Sequence, residues 1–364
     1  NGIGFKYEDS LTVSSLFAYS YGSFLVEATE EIVGLLVGAT TEKAEIAYKA
    51  TAIALDDLQK VYEGKLESVY PCNIQETTKT IPHFNYTKGV LRAPAVKVAK
   101  PKVLIPVFPG TNCEFDSAKA VRDAGAEAEI FVINNLSSAG ISRSVEAFAK
   151  KAYESQIIFI PGGFSGGDEP DGSGKFITAF FRNGAIKEEV TRLLEQRDGL
   201  MCGICNGFQA LIKLGLVPYG KIIDTDENCP TLTFNTIGRH QSRIVRTRIA
   251  SNKSPWLADT NVGDVYTVPI SHGEGRFLAS DEVIRSLVAN GQVATQYVDL
   301  DNKATGDVHF NPNGSICAIE GITSPDGRVF GKMGHSERIG KDLYKNVPGD
   351  FELGMFRSAV KYFK

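Results

Sequence analysis

The sequence predicts an α/β protein built on a doubly wound, mostly parallel sheet over residues 101–364, preceded by a small α+β piece. Three observations carry this. From residue 102 onward, short apolar runs alternate with helix-like stretches, as in successive strand–helix–strand units. Several of those runs stop at glycine-rich turns, and such sheets hold their ligands at the carboxyl ends of the strands. Residues 76–100 contain Pro82 and Pro94 and show no period, so they read as a linker between residues 1–75 and 101–364.

Taken in order, residues 17–29 (FAYSYGSFLVEAT) are aromatic and β-branched and read as a strand. Residues 44–67 are rich in Ala, Leu, Glu and Lys at helical spacing and read as a helix. Residues 103–108 (VLIPVF), 128–133 (AEIFVI), 156–160 (QIIFI) and 200–204 form four apolar strands. Between and after them, residues 116–124, 142–153, 175–196 and 206–214 read as helices. Beyond Gly220 the texture becomes β-rich: residues 241–249 alternate and 265–270 are apolar. Residues 315–333 form a hairpin turning at Ser324-Pro325-Asp326-Gly327, and residues 350–363 close the chain as a helix.

Composition excludes several function classes. The chain has 364 residues, 39 Lys+Arg against 43 Asp+Glu, and a formal net charge of −4, so it carries no electrostatic footprint for nucleic acid. No stretch approaches the ~18 apolar residues of a membrane span, and no N-terminal signal pattern is present. With 43% hydrophobic and 10% aromatic residues the chain can build a core, which excludes disorder as a whole-chain reading. Cys72, Cys113, Cys202, Cys205, Cys229 and Cys317 are too sparse for a disulfide scaffold, and a reducing cytoplasm is the expected compartment.

The most informative segment is Cys202-Gly203-Ile204-Cys205-Asn206-Gly207-Phe208-Gln209, where two patterns compete. Cys202 and Cys205 form C-x-x-C, the spacing of redox dithiols and of half a zinc site. No second C-x-x-C or nearby His completes a ligand set, and Cys202 falls inside the strand. Gly203 to Gly207 form G-x-C-x-G at a strand-to-helix junction, a nucleophile elbow with Cys in place of Ser. The helix N-terminus there favours a thiolate. The alternative is a buried cysteine at a tight turn.

A thiol nucleophile needs a base and a group to orient it. His335 lies in Gly334-His335-Ser336-Glu337, where an extended backbone would put His335 and Glu337 on one face. His272 and Glu274 lie in Ser271-His272-Gly273-Glu274-Gly275-Arg276-Phe277, either a tight loop near a ligand or an exposed polar turn. Pro161-Gly162-Gly163-Phe164-Ser165-Gly166-Gly167-Asp168 lets backbone N–H groups approach a substrate oxygen, and it lacks the spacing of a phosphate-binding P-loop. Pro109-Gly110-Thr111-Asn112-Cys113-Glu114-Phe115-Asp116 follows the first strand of the series in the same way. Its Cys113 has no elbow and ranks below Cys205.

Together these motifs resemble a triad (class I) glutamine amidotransferase domain of flavodoxin-like fold. Residues 109–116 and 272–277 narrow the resemblance to the glutaminases of the formylglycinamide ribonucleotide amidotransferase (phosphoribosylformylglycinamidine synthase) family of purine biosynthesis. The likeness covers about residues 101–364. Residues 22–27 and 66–71 look like the tail of that family's synthetase half, related to aminoimidazole ribonucleotide synthetase, which implies that Asn1 begins a piece of a longer enzyme.

The resemblance implies that Cys205 attacks the amide of glutamine, His335 moves the protons and Glu337 orients His335. It implies an oxyanion hole of Gly163 and Asn206 N–H groups, and substrate contacts from Gln209 and Phe164, with His272 and Glu274 as further candidates. Glutamine is the substrate, and the synthetase portion is the partner that binds formylglycinamide ribonucleotide. ATP and Mg2+ are expected in that portion, with no cofactor and no metal in this one. The competing functions are another cysteine hydrolase on the same scaffold and a non-catalytic interaction module. Three features depart from the family pattern: Ser336 stands where Pro is common, Gly166 where Tyr is usual, and residues 168–175 form a variant loop.

Overall fold

The computed structural model describes residues 2–30, 32–69, 80–89, 93–167 and 173–364. The chain divides into two compact units, Asn1–Ile74 and Gln75–Lys364. In the small unit, strands β1 (Gly4–Tyr7), β2 (Gly38–Thr41), β3 (Glu45–Tyr48) and β4 (Thr51–Ala54) form a sheet in the order β2-β1-β3-β4. Helix α1 (Val13–Leu16) starts at a capping box of Thr12 and Ser15, and helix α2 (Leu55–Gly64) follows β4 directly.

Two expectations fail in this unit. Residues 17–29 form no strand, and Phe17, Tyr19, Tyr21 and Phe24 are exposed. The aromatic content suggested pairing, but β1 pairs instead with β2 and β3. Residues 44–67 are not one helix, since Lys49 at φ 53° turns β3 back on β4 and the helix covers only the last part. Pairing of β3 with β1 overrides the local helical preference here.

The large unit begins earlier than the expected cut near residue 100. Part of the stretch read as a linker lies against its body, because Phe84 N–H donates to Gln296 Oε1 at 2.8 Å and Tyr86 N–H to the Ala250 carbonyl at 2.9 Å. The Arg248 guanidinium in turn donates to the Phe84 carbonyl at 3.1 Å. Residues 76–79 and 90–92 of that stretch lie outside the described residues.

The first half of this unit follows the expected alternation. It runs β5 (Lys102–Val107), α3 (Glu114–Asp123), β6 (Glu127–Val132), α4 (Ser138–Glu154), β7 (Ile157–Ile160), α5 (Lys175–Phe181), α6 (Gly184–Glu195), β8 (Leu200–Ile204), α7 (Asn206–Leu214) and α8 (Leu216–Tyr219). The long helix expected over 175–196 is two helices, because Asn183 Oδ1 accepts the Ala185 N–H at 3.1 Å and so caps a new start. The second half contains β9 (Thr231–Phe234), β10 (Gln241–Ile249), β11 (Val265–His272), β12 (Glu274–Leu278), α9 (Asp281–Ala289), β13 (Val293–Val298), β14 (Ile319–Thr323), β15 (Val329–Lys332) and α10 (Met355–Tyr362).

Nine of these strands form one sheet in the order β11-β10-β13-β14-β15-β8-β7-β5-β6. From β15 to β6 every pairing is parallel, whereas from β11 to β15 every pairing is antiparallel. The sheet is therefore mixed, and its parallel part is the doubly wound portion. Strands β7 and β8 are buried at every residue and read as continuous apolar runs, as strands covered on both faces must. Helix α4 lays Val145, Phe148 and Ala152 on the sheet at helical spacing, and the Phe148 ring meets Phe131, Phe180 and Phe181 edge-on. Truncating a ring so enclosed costs about 3–5 kcal/mol. Strand order reverses between β5 and β7, which makes the carboxyl ends of these strands the place to look for a site.

Candidate active site

At the end of β8, Ile204 is the last strand residue and Asn206 the first of α7, which leaves Cys205 alone at the corner with φ 53° and ψ −108°. A non-glycine residue in that region is strained, and strain of this kind concentrates at functional sites. The flanking glycines make the corner possible. A Cβ on Gly203 would lie 2.5 Å from the Gly207 carbonyl carbon, and one on Gly207 would lie 2.0 Å from the Ile160 carbonyl oxygen. The Cys205 N–H donates to the Lys332 carbonyl at 2.9 Å, tying the corner to β15. Its thiol, almost fully buried, lies 3.7 Å from the Ser271 carbonyl.

Burial pushes the Cys205 thiol well above the usual range, and Cys113 and Glu337 push the same way, while the Asn206 N–H and the Arg338 guanidinium oppose them. The helix N-terminus was expected to favour a thiolate. In the resting site desolvation outweighs it, so the group is a thiol that needs a base.

Strand β15 runs parallel to β8 with Lys332 opposite Ile204, which delivers the following residues beside the corner. His335 Nδ1 lies 2.6 Å from Glu337 Oε1, and both side chains are buried. An extended segment was not needed to bring them together. The chain turns instead, with Ser336 N–H donating to the Gly334 carbonyl at 3.1 Å and Arg338 N–H to the His335 carbonyl at 3.2 Å. Burial alone would raise the Glu337 carboxyl, but His335, its own backbone N–H and Arg338 outweigh it and hold the group below its ordinary value. A carboxylate on Nδ1 fixes the proton there, which leaves Nε2 as an acceptor; Nε2 is buried and has no partner among the described residues.

These side chains converge on Gly162. A Cβ built there would lie 2.7 Å from His335 Cε1, 3.1 Å from Cys113 Sγ and 3.4 Å from Cys205 Cβ. Cys113 takes a hydrogen bond from Arg338 Nη2 at 2.9 Å and sits 3.9 Å from His335 Nδ1. Its thiol is pushed up to about 12, by burial first and then by Glu337, against the pull of Arg338. The ligand atoms of Cys113, His335 and Glu337 lie within 4.8 Å of one another, close enough for a metal ion, but the Arg338 cation already occupies the Cys113 sulfur. Cys202 lies in the middle of β8, fully buried, so the C-x-x-C pair is one core residue and one corner residue.

The predicted N–H donors flank the corner. Gly163, at φ 149°, forms a bridge with Thr111 made by Phe164 N–H to the Gly110 carbonyl at 2.8 Å and Asn112 N–H to the Gly162 carbonyl at 3.3 Å, so the Gly163 N–H itself takes no part in the bridge. The Asn206 N–H, at the first residue of α7, reaches the Cys205 sulfur. Gln209 is held by Asn206, whose Nδ2 donates to its Oε1 at 2.9 Å, and by its own bond to the Glu274 carbonyl. Glu274 accepts the Ser173 N–H at 2.9 Å on one oxygen, and its other oxygen is buried without a partner among the described residues. Phe164 is 43% exposed, with its ring 5.9 Å from that of His240.

His272 is committed to the scaffold. Asn313 Nδ2 donates to the Gly275 carbonyl and to the Tyr297 hydroxyl, so Asn313 Oδ1, 2.6 Å away, must accept from His272 Nε2. Burial drives its imidazole down to about 3, with His335 and His240 adding to the effect against the Asn313 bond, so it is neutral. Gly166, at φ 68°, occupies a turn that favours glycine, and a Cβ there would meet Phe176 at 3.0 Å. Of the variant loop, residues 168–172, Asp168 included, lie outside the described residues. Sequence reasoning missed Arg338, Lys332 and Glu320; the signals were the position of Arg338 directly after His335-Ser336-Glu337 and, more faintly, two charges within the hairpin read over 315–333.

Residues 100–363 match the family described as the CobB/CobQ-like glutamine amidotransferase domain. Phosphoribosylformylglycinamidine synthase subunit PurQ of Methanococcus maripaludis is 36% identical over 281 residues, covering 72% of this chain and 97% of the relative. The subunit of the same name from Dehalococcoides mccartyi is 37% identical over 242 residues, covering 66% of this chain and 87% of the relative. Among solved structures, a chain in the structure of PurLQS from Thermotoga maritima aligns at TM-score 0.53 with 27% identity, over 73% of this chain and all of that one.

The chain belongs to the glutamine amidotransferases, enzymes that take glutamine as amide-nitrogen donor. Within them, residues 100–363 are a glutaminase of the phosphoribosylformylglycinamidine synthase type, which serves purine biosynthesis. Among the described residues no helix is long and apolar enough to cross a membrane.

Proposed function

We propose that Cys205, His335 and Glu337 hydrolyse glutamine and that the ammonia serves an ATP-dependent amide-to-amidine conversion of formylglycinamide ribonucleotide. The observation that carries this is the strained, buried Cys205 corner beside a His335 whose Nδ1 is held by Glu337 and whose Nε2 has no partner among the described residues. His335 Nε2 takes the thiol proton as sulfur attacks the side-chain carbonyl carbon of glutamine. The developing oxyanion takes the N–H groups of Gly163 and Asn206, each such donor contributing roughly 10²–10³ in rate. The C–N bond breaks, His335 returns the proton to the departing ammonia, and a glutamyl thioester remains. Water, deprotonated by His335, then releases glutamate and restores the thiol.

Gln209 and Glu274 form the polar wall that takes the amino-acid end of glutamine, and Phe164 stands at the rim. His272 braces that wall through Asn313. We assign ATP and Mg2+ to a synthetase portion. The small unit, whose Phe17, Tyr19, Tyr21 and Phe24 are exposed, reads as part of that synthetase body. Free thiols at Cys113, Cys202, Cys205, Cys229 and Cys317 support a reducing, cytoplasmic setting.

The test is glutamate release from glutamine by the chain beside Cys205→Ala, with and without a synthetase portion. Release that vanishes in Cys205→Ala and rises with synthetase is expected. Release that survives Cys205→Ala overturns the nucleophile assignment.

A further inference from the structure

Beneath the His335 turn lies a charge pair with no role in the mechanism above. Lys332 Nζ lies 3.3 Å from Glu320 Oε1, and neither side chain has any exposed surface. The ammonium donates to the Gly334 carbonyl at 2.8 Å and to Ser336 Oγ at 3.2 Å. The carboxylate accepts the Gly334 N–H at 2.6 Å on one oxygen and the Thr295 hydroxyl on the other. Both sides of Gly334 and the side chain of Ser336 are therefore gripped, and these are the two neighbours of His335. One further anchor, His335 N–H to the Pro269 carbonyl at 2.8 Å, completes the hold.

We propose that the Lys332–Glu320 pair is a positioning device that sets His335 against Cys205. The inference rests on the reading of His335 as the base. Fold stability does not account for the pair, since well-packed apolar residues in the same volume are often as stabilising or more so. Directional bonds to residues 334 and 336 are what an apolar pair would lack. Lys332 also serves both partners of the reaction: its carbonyl receives the Cys205 N–H, while its ammonium holds the His335 turn. One residue thus couples the thiol to the base, and Ser336 offers the ammonium a hydroxyl at that turn.

The test uses the complete chain with its synthetase portion. Lys332→Met alone strands a buried carboxylate and risks unfolding, so the main variant is the neutral double Lys332→Met/Glu320→Gln. Expected is a fall of about 100-fold in kcat for glutamate release, the scale of a 1 Å misplacement. KM for glutamine stays within about threefold. The Nδ1 proton resonance of His335, downfield in the parent through its Glu337 bond, shifts or broadens, and Tm holds or rises.

A kcat within about twofold of the parent, with the His335 resonance unmoved, overturns the proposal. If the double variant does not fold, Ser336→Ala removes a single grip. A severalfold loss of kcat at unchanged KM then supports the proposal, and an unchanged kcat refutes it. Cys205→Ala is run alongside: glutamate release surviving in it means that the triad reading has failed and takes this inference with it. Release abolished there but unaffected in the double variant sinks the positioning role alone.

Discussion

Gly162→Ala adds one methyl group at the point where His335, Cys113 and Cys205 converge. The added carbon would lie 2.7 Å from His335 Cε1, against an ordinary carbon–carbon separation of about 3.5–4.0 Å. The imidazole must retreat by roughly 1 Å. It cannot do so without disturbing its 2.6 Å bond to Glu337, and the methyl cannot move the other way because Cys113 Sγ stands 3.1 Å off. Gly162 is not in the left-handed region, so alanine brings no backbone strain and the effect falls on the side chains. A 1 Å displacement of a base costs about 100-fold in rate, or about 2.7 kcal/mol of barrier. Overpacking costs about 1–3 kcal/mol of stability, a Tm loss of several degrees in a unit of this size, which leaves the protein folded. The assay is steady-state glutamate release with synthetase present, together with a thermal melt. kcat is expected to fall about 100-fold while KM barely moves. A kcat within about twofold of the parent, in a variant with the same or a lower Tm, would refute the placement of His335 as the base.

Two further outcomes follow from the charges around that point. Glu337 is held below its ordinary value, so its charged form contributes stability that is complete above that value and is lost as pH falls through the depressed one. Glu337→Gln should therefore lose less stability than the parent between about pH 5 and pH 3 in urea titrations, and parallel losses would contradict the assignment. Cys113, at about 12, stays a thiol near neutrality, so Cys113→Ala should keep glutamate release within about tenfold and leave alkylation at Cys205 intact. A loss comparable with that of Cys205→Ala would move the chemistry to Cys113.

How far the sequence could be read depended on whether the deciding interaction was local. The elbow was legible because Gly203, Cys205 and Gly207 are local, and so were β7 and β8, whose burial on both faces leaves unbroken apolar runs. The hairpin of β14 and β15 was legible from its Ser324-Pro325-Asp326-Gly327 turn. Residues 44–67 misled because the helical composition is real but the pairing of β3 with β1 is decided some forty residues away. The antiparallel half of the sheet was under-read for a related reason. Strand β13, buried at every residue, has no alternation to mark it, and its neighbours β10 and β14 are distant in sequence. At the site, Gly162 lay inside a motif already singled out, yet its contact with His335 joins segments 173 residues apart. Lys332 and Glu320 left one faint trace, two charges inside otherwise apolar hairpin arms, and their meaning depends on register.

The position of β15 also sets the order in which the proposed site is assembled. That strand lies between β14 and β8 in space but comes last among the strands in sequence. Strands β5 to β8 and the elbow precede β15 in the chain, so the edge of β8 stays open and the proposed base is absent until residues 329–337 have been made. In the proposed mechanism the base is thus the later arrival, and the thiol waits on the strand that brings it.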